Sequence, residues 1–126
     1  FTMELQGSVI VAALEHGGNG VEEAQGRFPQ VAGLRFRLDV SVPPNGGRVS
    51  DVQVQGADGA WVPIDPDAVY MVVTNDFMAG GGDGFAMLRD FGTNRYDTAI
   101  DLADALAEYL SANAPFAPSL DGRIAQ

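Results

Sequence analysis

The first part of the chain changes from a period of two to a helical pattern and then to a loop. Phe1 to Gln6 alternates between apolar and polar residues, which is typical of a strand. Val9 to Glu15 is apolar and predicts a short helix, with Ser8 as its N-cap and Gly17-Gly18 as its end. Residues 19–30 are mostly polar, contain glycine and predict a loop.

Four segments in the middle of the chain have the pattern of strands. Leu34 to Val40 and Val49 to Gln55 alternate, so each predicts a strand with one face toward a core. The turn at 57–59 joins the second of them to Ala60 to Ile64 as a hairpin. Tyr70 to Thr74 is apolar on both faces, which predicts a central strand.

A second helix is predicted toward the end of the chain. Asp97 or Thr98 would cap it, Asp101 would complete a capping box, and Pro115 would follow its end. Its core face is predicted to comprise Ile100, Leu102, Ala103, Leu106, Tyr109 and Leu110. The order of strand, helix, several strands and helix predicts an α+β domain, with helices packed on a mixed, mostly antiparallel sheet.

Composition restricts the partners of this domain. The chain has 126 residues, the size of one domain, and a net charge of −10, with seven arginines and no lysine. This charge argues against a nucleic-acid polymer or an anionic membrane as a partner, because both need a positive surface. The apolar runs are also far shorter than a membrane span.

The residues that hydrolytic enzymes use are mostly missing. Cysteine is absent, no histidine and carboxylate set has metal-ligand spacing, and no serine lies in a Gly-x-Ser-x-Gly elbow. The glycines at 80–82 are not followed by the Gly-Lys-Ser/Thr of a P-loop. The one histidine, His16, is most simply a partner for a helix dipole. We therefore assign no catalytic residue, metal or cofactor to this chain.

The segment from Thr74 to Phe85 is suited to contact a ligand closely. Four glycines remove side chains from it and shape the loop: Gly80, Gly81, Gly82 and Gly84. Phe77 and Asp83 remain, and two interpretations are open. One is a tight turn with a core phenylalanine and a helix-capping aspartate. The other is a nucleoside clamp, in which Phe77 stacks on the base, Asp83 accepts hydrogen bonds from the ribose hydroxyls, and Phe85 packs under the loop.

Four segments, in order, resemble the C-terminal domain of the 5′-nucleotidase family. Residues 75–85 resemble its N-x-F-x-x-x-G-G-D-G-F/Y stretch, and residues 28–34 resemble its F-x-Q-x-S/G-G segment with the apolar residue that follows. Residues 65–70 and 121–124 resemble its D-P-x-x-x-Y and G-R-I segments. The resemblance covers nearly the whole chain and implies the α+β fold of that domain.

The resemblance also implies a function. Such domains belong to two-domain phosphohydrolases that are periplasmic, secreted or on the cell surface, and that convert a nucleoside monophosphate to nucleoside and phosphate. A separate N-terminal metallophosphatase domain holds two divalent metal ions, and the C-terminal domain holds the nucleoside. Phe77 matches the second of two base-stacking phenylalanines, and Asp83 matches the acid that binds the ribose.

The same resemblance predicts what this chain would lack. Residues 1–126 would form a single domain without its first strand or strands and without the metallophosphatase domain. The first stacking phenylalanine would lie upstream, so Phe1 is not assigned that role. Two alternatives stay open: a hydrolase of the same family acting on cyclic nucleotides, nucleotide sugars or thiosulfate-type substrates, and a non-catalytic binding module.

Overall fold

The structure, a computed structural model, describes every residue from Phe1 to Gln126 and contains seven strands and four α-helices. The strands are β1 (Thr2–Gln6), β2 (Leu34–Leu38), β3 (Val49–Gln55), β4 (Trp61–Pro63), β5 (Val69–Val73), β6 (Thr93–Tyr96) and β7 (Ile124–Ala125). The helices are α1 (Gly7–Gly18), α2 (Asp76–Ala79), α3 (Ala86–Phe91) and α4 (Leu102–Ala112). Two 3₁₀ turns, Val21–Glu23 and Gly82–Gly84, complete the elements.

The strands form two sheets rather than one. The first has the order β5-β1-β6 and is antiparallel, with Met3 opposite Val72 and Leu5 opposite Tyr70. The second has the order β4-β3-β2-β7, in which only β2 and β7 are parallel. The mixed, mostly antiparallel pairing and the α+β class that the sequence predicted are confirmed.

The core lies where the inner faces of β1, β2 and β3 meet α1 and α3. Its ten buried residues are Met3, Leu5, Ile10, Leu14, Phe36, Leu38, Val52, Ala79, Phe85 and Leu88. In β1 and β2 these residues are two positions apart, as the period of a strand requires. The core therefore includes two residues, Ala79 and Phe85, from the glycine-rich segment itself.

Helix α1 begins differently from the prediction. It follows β1 without a loop, Ser8 lies inside it, and no side chain caps it. The backbone N–H groups of Gly7 and Ser8 instead donate to the carbonyls of Ala68 and Pro66, at 2.9 and 3.0 Å. A Cβ at position 7 would lie 2.1 Å from the carbonyl oxygen of Asp65, so this junction depends on glycine. Tertiary contacts therefore replace the side-chain cap.

Helix α1 ends at Gly17 and Gly18, as predicted, although neither glycine takes a left-handed conformation. A Cβ at Gly17 would lie 2.6 Å from the ring of Pro29, and one at Gly18 would lie 2.7 Å from Leu38. Both glycines are buried. They allow neighbouring segments to approach the helix closely.

Strand β5 is an edge strand, so the prediction of a central strand was wrong. It pairs only with β1. Tyr70 and Val72 contact the core, whereas Val69, Met71 and Val73 on the other face are 58–75% exposed. A strand with apolar residues on both faces is suited to apolar contacts on both sides. The sequence does not show whether other residues of the same domain make those contacts.

Helix α4 also differs from its prediction. Asp101 is itself the N-cap, and its side chain accepts hydrogen bonds from the backbone N–H groups of Ala103 and Asp104. Asp97 and Thr98 lie outside the helix. None of its residues is buried, and Leu102, Leu106 and Tyr109 are more than half exposed. The sequence correctly predicted an amphipathic helix, but the prediction that its apolar face joins the core is wrong. Tyr109 of this face meets Phe116 edge to face, with 5.9 Å between the ring centroids.

Candidate functional site

The glycine-rich segment follows β5 and folds as three short turns. Asn75 caps α2, because its side-chain oxygen accepts a 2.7 Å hydrogen bond from the backbone N–H of Met78. The 3₁₀ turn Gly82–Gly84 and helix α3 come next. Ala79 and Phe85 anchor the segment in the core, and Phe85 is only 2% exposed. Phe85 therefore packs under the loop, as expected.

Phe77 lies on the surface of this segment. Its side chain is 58% exposed, so the interpretation of Phe77 as a core residue is wrong. One edge of the ring lies against Gly82: a Cβ at position 82 would lie only 2.5 Å from two ring carbons and 2.6 Å from a third. The absence of a side chain at Gly82 is what allows the ring to take this position.

Asp83 also faces solvent. Its backbone is left-handed, with φ of 52°, and lies between Gly81 at 92° and Gly84 at 82°. Its carboxylate accepts no hydrogen bond, and no side chain caps α3, so the helix-capping interpretation is wrong as well. Aspartate tolerates this conformation better than most residues. Both oxygens of Asp83 are free to accept hydrogen bonds from a ligand.

His16 fixes the backbone of Asp83, a role that the sequence did not reveal. Its Nε2 lies 2.8 Å from the carbonyl oxygen of Asp83, and because a carbonyl can only accept, Nε2 must carry the proton. The imidazole also meets Phe85 edge to face, with 4.8 Å between ring centroids. A Cβ at Gly84 would lie 2.8 Å from the imidazole. The two partners are 67 residues apart, so no local pattern could have indicated the contact.

Arg95 fixes the rest of the segment in a similar way. Its guanidinium donates to the carbonyl of Ala79 at 2.7 Å and to that of Leu88 at 2.9 Å. It also lies over the ring of Phe1, 5.0 Å from the centroid. These contacts satisfy carbonyls near the ends of α2 and α3 and connect them to the start of β1.

Phe77 and Asp83 line the same groove. Its volume is about 1000 Å³, and its other walls come largely from β5 and from residues 26–34. A second, smaller cavity of about 410 Å³ shares Asp83 with the groove and is otherwise lined by Gln25, Gly26, Arg27 and Gly84. The flat ring and the carboxylate that the sequence singled out are therefore available to one ligand.

The four loop glycines have different environments. Gly81 and Gly84 have positive φ, which an alanine would strain. Gly82 seats the ring of Phe77. Gly80 has an ordinary φ of −77°, and a Cβ there would meet nothing closer than 3.4 Å. Only three of the four positions therefore require glycine.

Arg35 and Arg123 line neither cavity, and both are already engaged with neighbouring side chains. Arg35 lies over Trp61 and donates to Gln53 on the surface of the second sheet. Arg123 pairs with Asp121, and its hydrogen bonds lower the pKa of that carboxyl to about 2. No three histidine or acidic side chains cluster as a metal site would require. No helix is both long and apolar enough to cross a bilayer.

Comparison with known proteins identifies the family. The family model described as "5′-nucleotidase, C-terminal domain" matches residues 1–90. A 5′-nucleotidase-related protein of Glossina morsitans morsitans is 38% identical over 96% of this chain and 22% of its own length. A trifunctional nucleotide phosphoesterase protein of Bacillus subtilis is 33% identical over 98% of this chain and 8% of its own length.

A solved structure agrees with these sequence relatives. The 5′-nucleotidase precursor of Thermus thermophilus superposes with a TM-score of 0.91 and 43% identity, over 98% of this chain and 24% of that one. The chain thus spans about a quarter or less of the relatives that it matches. The resemblance found in the sequence is confirmed, and the chain belongs to the family of 5′-nucleotidase C-terminal domains.

Proposed function

We propose that this domain is the substrate-recognition part of a 5′-nucleotidase-type phosphohydrolase and that it binds the base and ribose of a nucleoside monophosphate. The observation that carries the proposal is the exposure of Phe77 and Asp83 on one groove. The ring would stack on the base, and the carboxylate would accept the ribose hydroxyls. Phosphate and nucleoside would be the products of the whole enzyme.

The energies of these two contacts suit a small neutral ligand. Stacking of a base on an aromatic ring contributes about 1–3 kcal/mol with little base preference. Hydrogen bonds to a charged acceptor contribute about 1.5–3 kcal/mol each. A net charge of −10 does not oppose such contacts, because the base and sugar are uncharged. The acidic domain is thereby matched to the nucleoside end of the substrate rather than to its phosphate.

The partner of the domain in this proposal is an N-terminal metallophosphatase domain of the same polypeptide. That domain would hold two divalent metal ions and supply the water that attacks the phosphate. Residues 1–126 would then be one domain that lacks its first strand or strands. The exposed apolar faces of β5 and α4 support a covering segment or domain, and the relatives are at least four times longer than the match. We also propose a periplasmic, secreted or cell-surface location.

The first test concerns Phe77 in the parent polypeptide, by which we mean the longest natural chain that carries these residues. Phe77→Ala should raise KM for AMP by about 5- to 150-fold, the equivalent of 1–3 kcal/mol of stacking. Hydrolysis of p-nitrophenyl phosphate, which has no base, should hardly change. Equal losses on both substrates would show that the substitution damages the fold, and the recognition role would be abandoned.

The second test concerns Asp83. Asp83→Asn should weaken binding of adenosine by about tenfold or more but leave binding of 2′,3′-dideoxyadenosine nearly unchanged, because that analogue has no ribose hydroxyls to donate. Identical losses for the two ligands would contradict the ribose contact. Activity on thiosulfate-type substrates, unaffected by either substitution, would favour the alternative branch of the family.

A further inference from the structure

Two asparagine-glycine pairs lie next to each other at the end of α1. Asn19-Gly20 directly follows the helix, and Asn45-Gly46 lies in the loop between β2 and β3. The side-chain nitrogen of Asn19 donates to the side-chain oxygen of Asn45 at 2.6 Å, and the backbone N–H of Asn45 donates to the side-chain oxygen of Asn19 at 2.8 Å. We call these two hydrogen bonds the asparagine clasp. Neither asparagine lines the groove or the smaller cavity.

An asparagine followed by glycine can deamidate without an enzyme. The backbone nitrogen of the glycine attacks the Cγ of the asparagine, and a new C–N bond forms. The side-chain nitrogen leaves as ammonia, taking the proton of the glycine N–H, and a succinimide ring remains. Water then opens the ring at either carbonyl and gives aspartate or isoaspartate. Glycine favours the attack, because it has no Cβ to obstruct the approach.

The structure leaves Asn45-Gly46 open to this reaction. Both residues are exposed, and the side-chain nitrogen of Asn45, the leaving group, donates to no protein group. Asn45 has a φ of 61° at the third position of a turn that begins at Pro43, as in a type II turn. One hydrogen bond closes this turn, from the N–H of Gly46 to the carbonyl of Pro43 at 2.9 Å. Opening the turn therefore breaks one exposed hydrogen bond and releases one left-handed residue.

The same structure protects Asn19-Gly20. Gly20 is buried, and a Cβ there would lie 2.6 Å from the side-chain amide of Gln25. The side-chain nitrogen of Asn19 is held in the asparagine clasp, and its backbone N–H donates to the carbonyl of His16 at 3.3 Å. The reaction at Asn19 therefore requires the end of α1 to open, which breaks more contacts than opening the turn at Asn45.

We propose that Asn45 is a site of spontaneous deamidation in the folded protein and that Asn19 is spared. Either product adds a negative charge to a chain that already carries −10. Aspartate keeps an oxygen to which Asn19 can donate. Isoaspartate adds one atom to the backbone and shifts Gly47 and Arg48, whose N–H groups donate to the carboxylate of Glu15 at 3.1 and 3.0 Å. Isoaspartate therefore loosens the loop from α1, whereas aspartate does not.

The experiment follows both asparagines of the parent polypeptide by mass spectrometry during incubation in mildly alkaline buffer. Trypsin separates them, because cleavage after Arg37 and Arg48 releases residues 38–48, whereas Asn19 lies in the peptide that ends at Arg27. Aspartate and isoaspartate together should accumulate at Asn45 about tenfold faster than at Asn19, a difference equivalent to 1.4 kcal/mol. In urea-unfolded protein the two rates should become similar, since both residues precede glycine.

Two variants test the role of the local contacts. Asn19→Ala removes the asparagine clasp and should speed deamidation of Asn45 by about 2- to 12-fold, which corresponds to the net contribution of one hydrogen bond. Asn45→Asp carries the aspartate product and should unfold at the same urea concentration as the fresh wild type. The isoaspartate fraction of aged wild-type protein should unfold at a lower urea concentration than Asn45→Asp.

Three results would overturn the proposal. Equal rates at the two asparagines in folded protein, or a faster rate at Asn19, would show that burial and the helix end give no protection. No product at Asn45 in folded protein, with rapid reaction in urea, would show that the turn itself blocks the attack. A tenfold difference that persists in urea would assign the selectivity to the flanking sequence rather than to the structure.

Discussion

Replacement of Gly82 by alanine tests whether the position of the Phe77 ring matters. The new Cβ would lie 2.5–2.6 Å from three ring carbons, well inside the 3.5–4.0 Å at which carbon atoms normally meet. The ring must therefore move by about 1 Å or more. Gly82 is not among the glycines with positive φ, so alanine adds no backbone strain there. The substitution displaces the ring and leaves the phenylalanine itself in place.

The expected magnitudes differ for binding and for stability. Base stacking contributes about 1–3 kcal/mol, so loss of the ring's position should weaken adenosine binding by up to about 5- to 150-fold. The free energy of unfolding should change little. The ring is 58% exposed and can move into solvent, and glycine-to-alanine substitution itself stabilises by about 0.4–1 kcal/mol through the unfolded chain.

The assay is calorimetric titration with adenosine, together with urea unfolding of the same samples. Gly80→Ala is the matched control, because its φ is −77° and its Cβ would meet nothing closer than 3.4 Å. It should bind like the wild type. The double variant Gly82→Ala/Phe77→Ala should bind no more weakly than Phe77→Ala alone, since both act through one ring. Wild-type affinity in Gly82→Ala, or an equal loss in Gly80→Ala, would refute the reasoning.

Three further predictions concern groups that hold the site and the end of the chain. His16→Ala should weaken adenosine binding and lower the free energy of unfolding by about 1–3 kcal/mol, the sum of one hydrogen bond and one aromatic pair. His16→Gln can still donate to Asp83, so it should recover part of the binding in titration and part of the stability in urea unfolding. Asn75→Ala should cost about 0.5–2 kcal/mol in urea unfolding through loss of the α2 cap; no change would mean that the cap is redundant. The pKa of Asp121 is lowered to about 2 from 3.8, so its contribution to stability is present above about pH 4 and is lost as the pH falls toward 2. Asp121→Asn should remove this part of the pH dependence from acid unfolding curves. A pH dependence that persists in the variant would contradict the pairing with Arg123.

The strands that the sequence predicted best are those whose side-chain alternation matches one buried face. Met3 and Leu5 in β1, and Phe36 and Leu38 in β2, are buried two positions apart, so the period of the strand is directly visible in the residues. The short β6 and β7 were not predicted. Their exposed or very short sequences carry no such period, and they exist because β1 and β2 provide edges for them to pair with.

The predictions that failed concern which segments pack against one another, not which residues lie on one face of a helix or strand. The apolar residues of β5 and α4 were correctly located on faces, but the sequence does not record whether this domain covers those faces. The same holds for the start of α1, where carbonyls of residues 66 and 68 replace the side-chain cap that Ser8 suggested. At α1 the deciding contacts come from a segment distant in sequence, and at β5 and α4 no segment of this chain covers the face.

The sequence by itself determined the residue types of the candidate site: one aromatic ring, one carboxylate and the glycines that leave room around them. Spacing and family resemblance were enough to select Phe77 and Asp83, because these features are local. Only the tertiary structure decided that both face one groove and that His16 holds the backbone of Asp83. Those arrangements depend on contacts between segments far apart in the chain, which packing of the whole domain sets and no local pattern encodes.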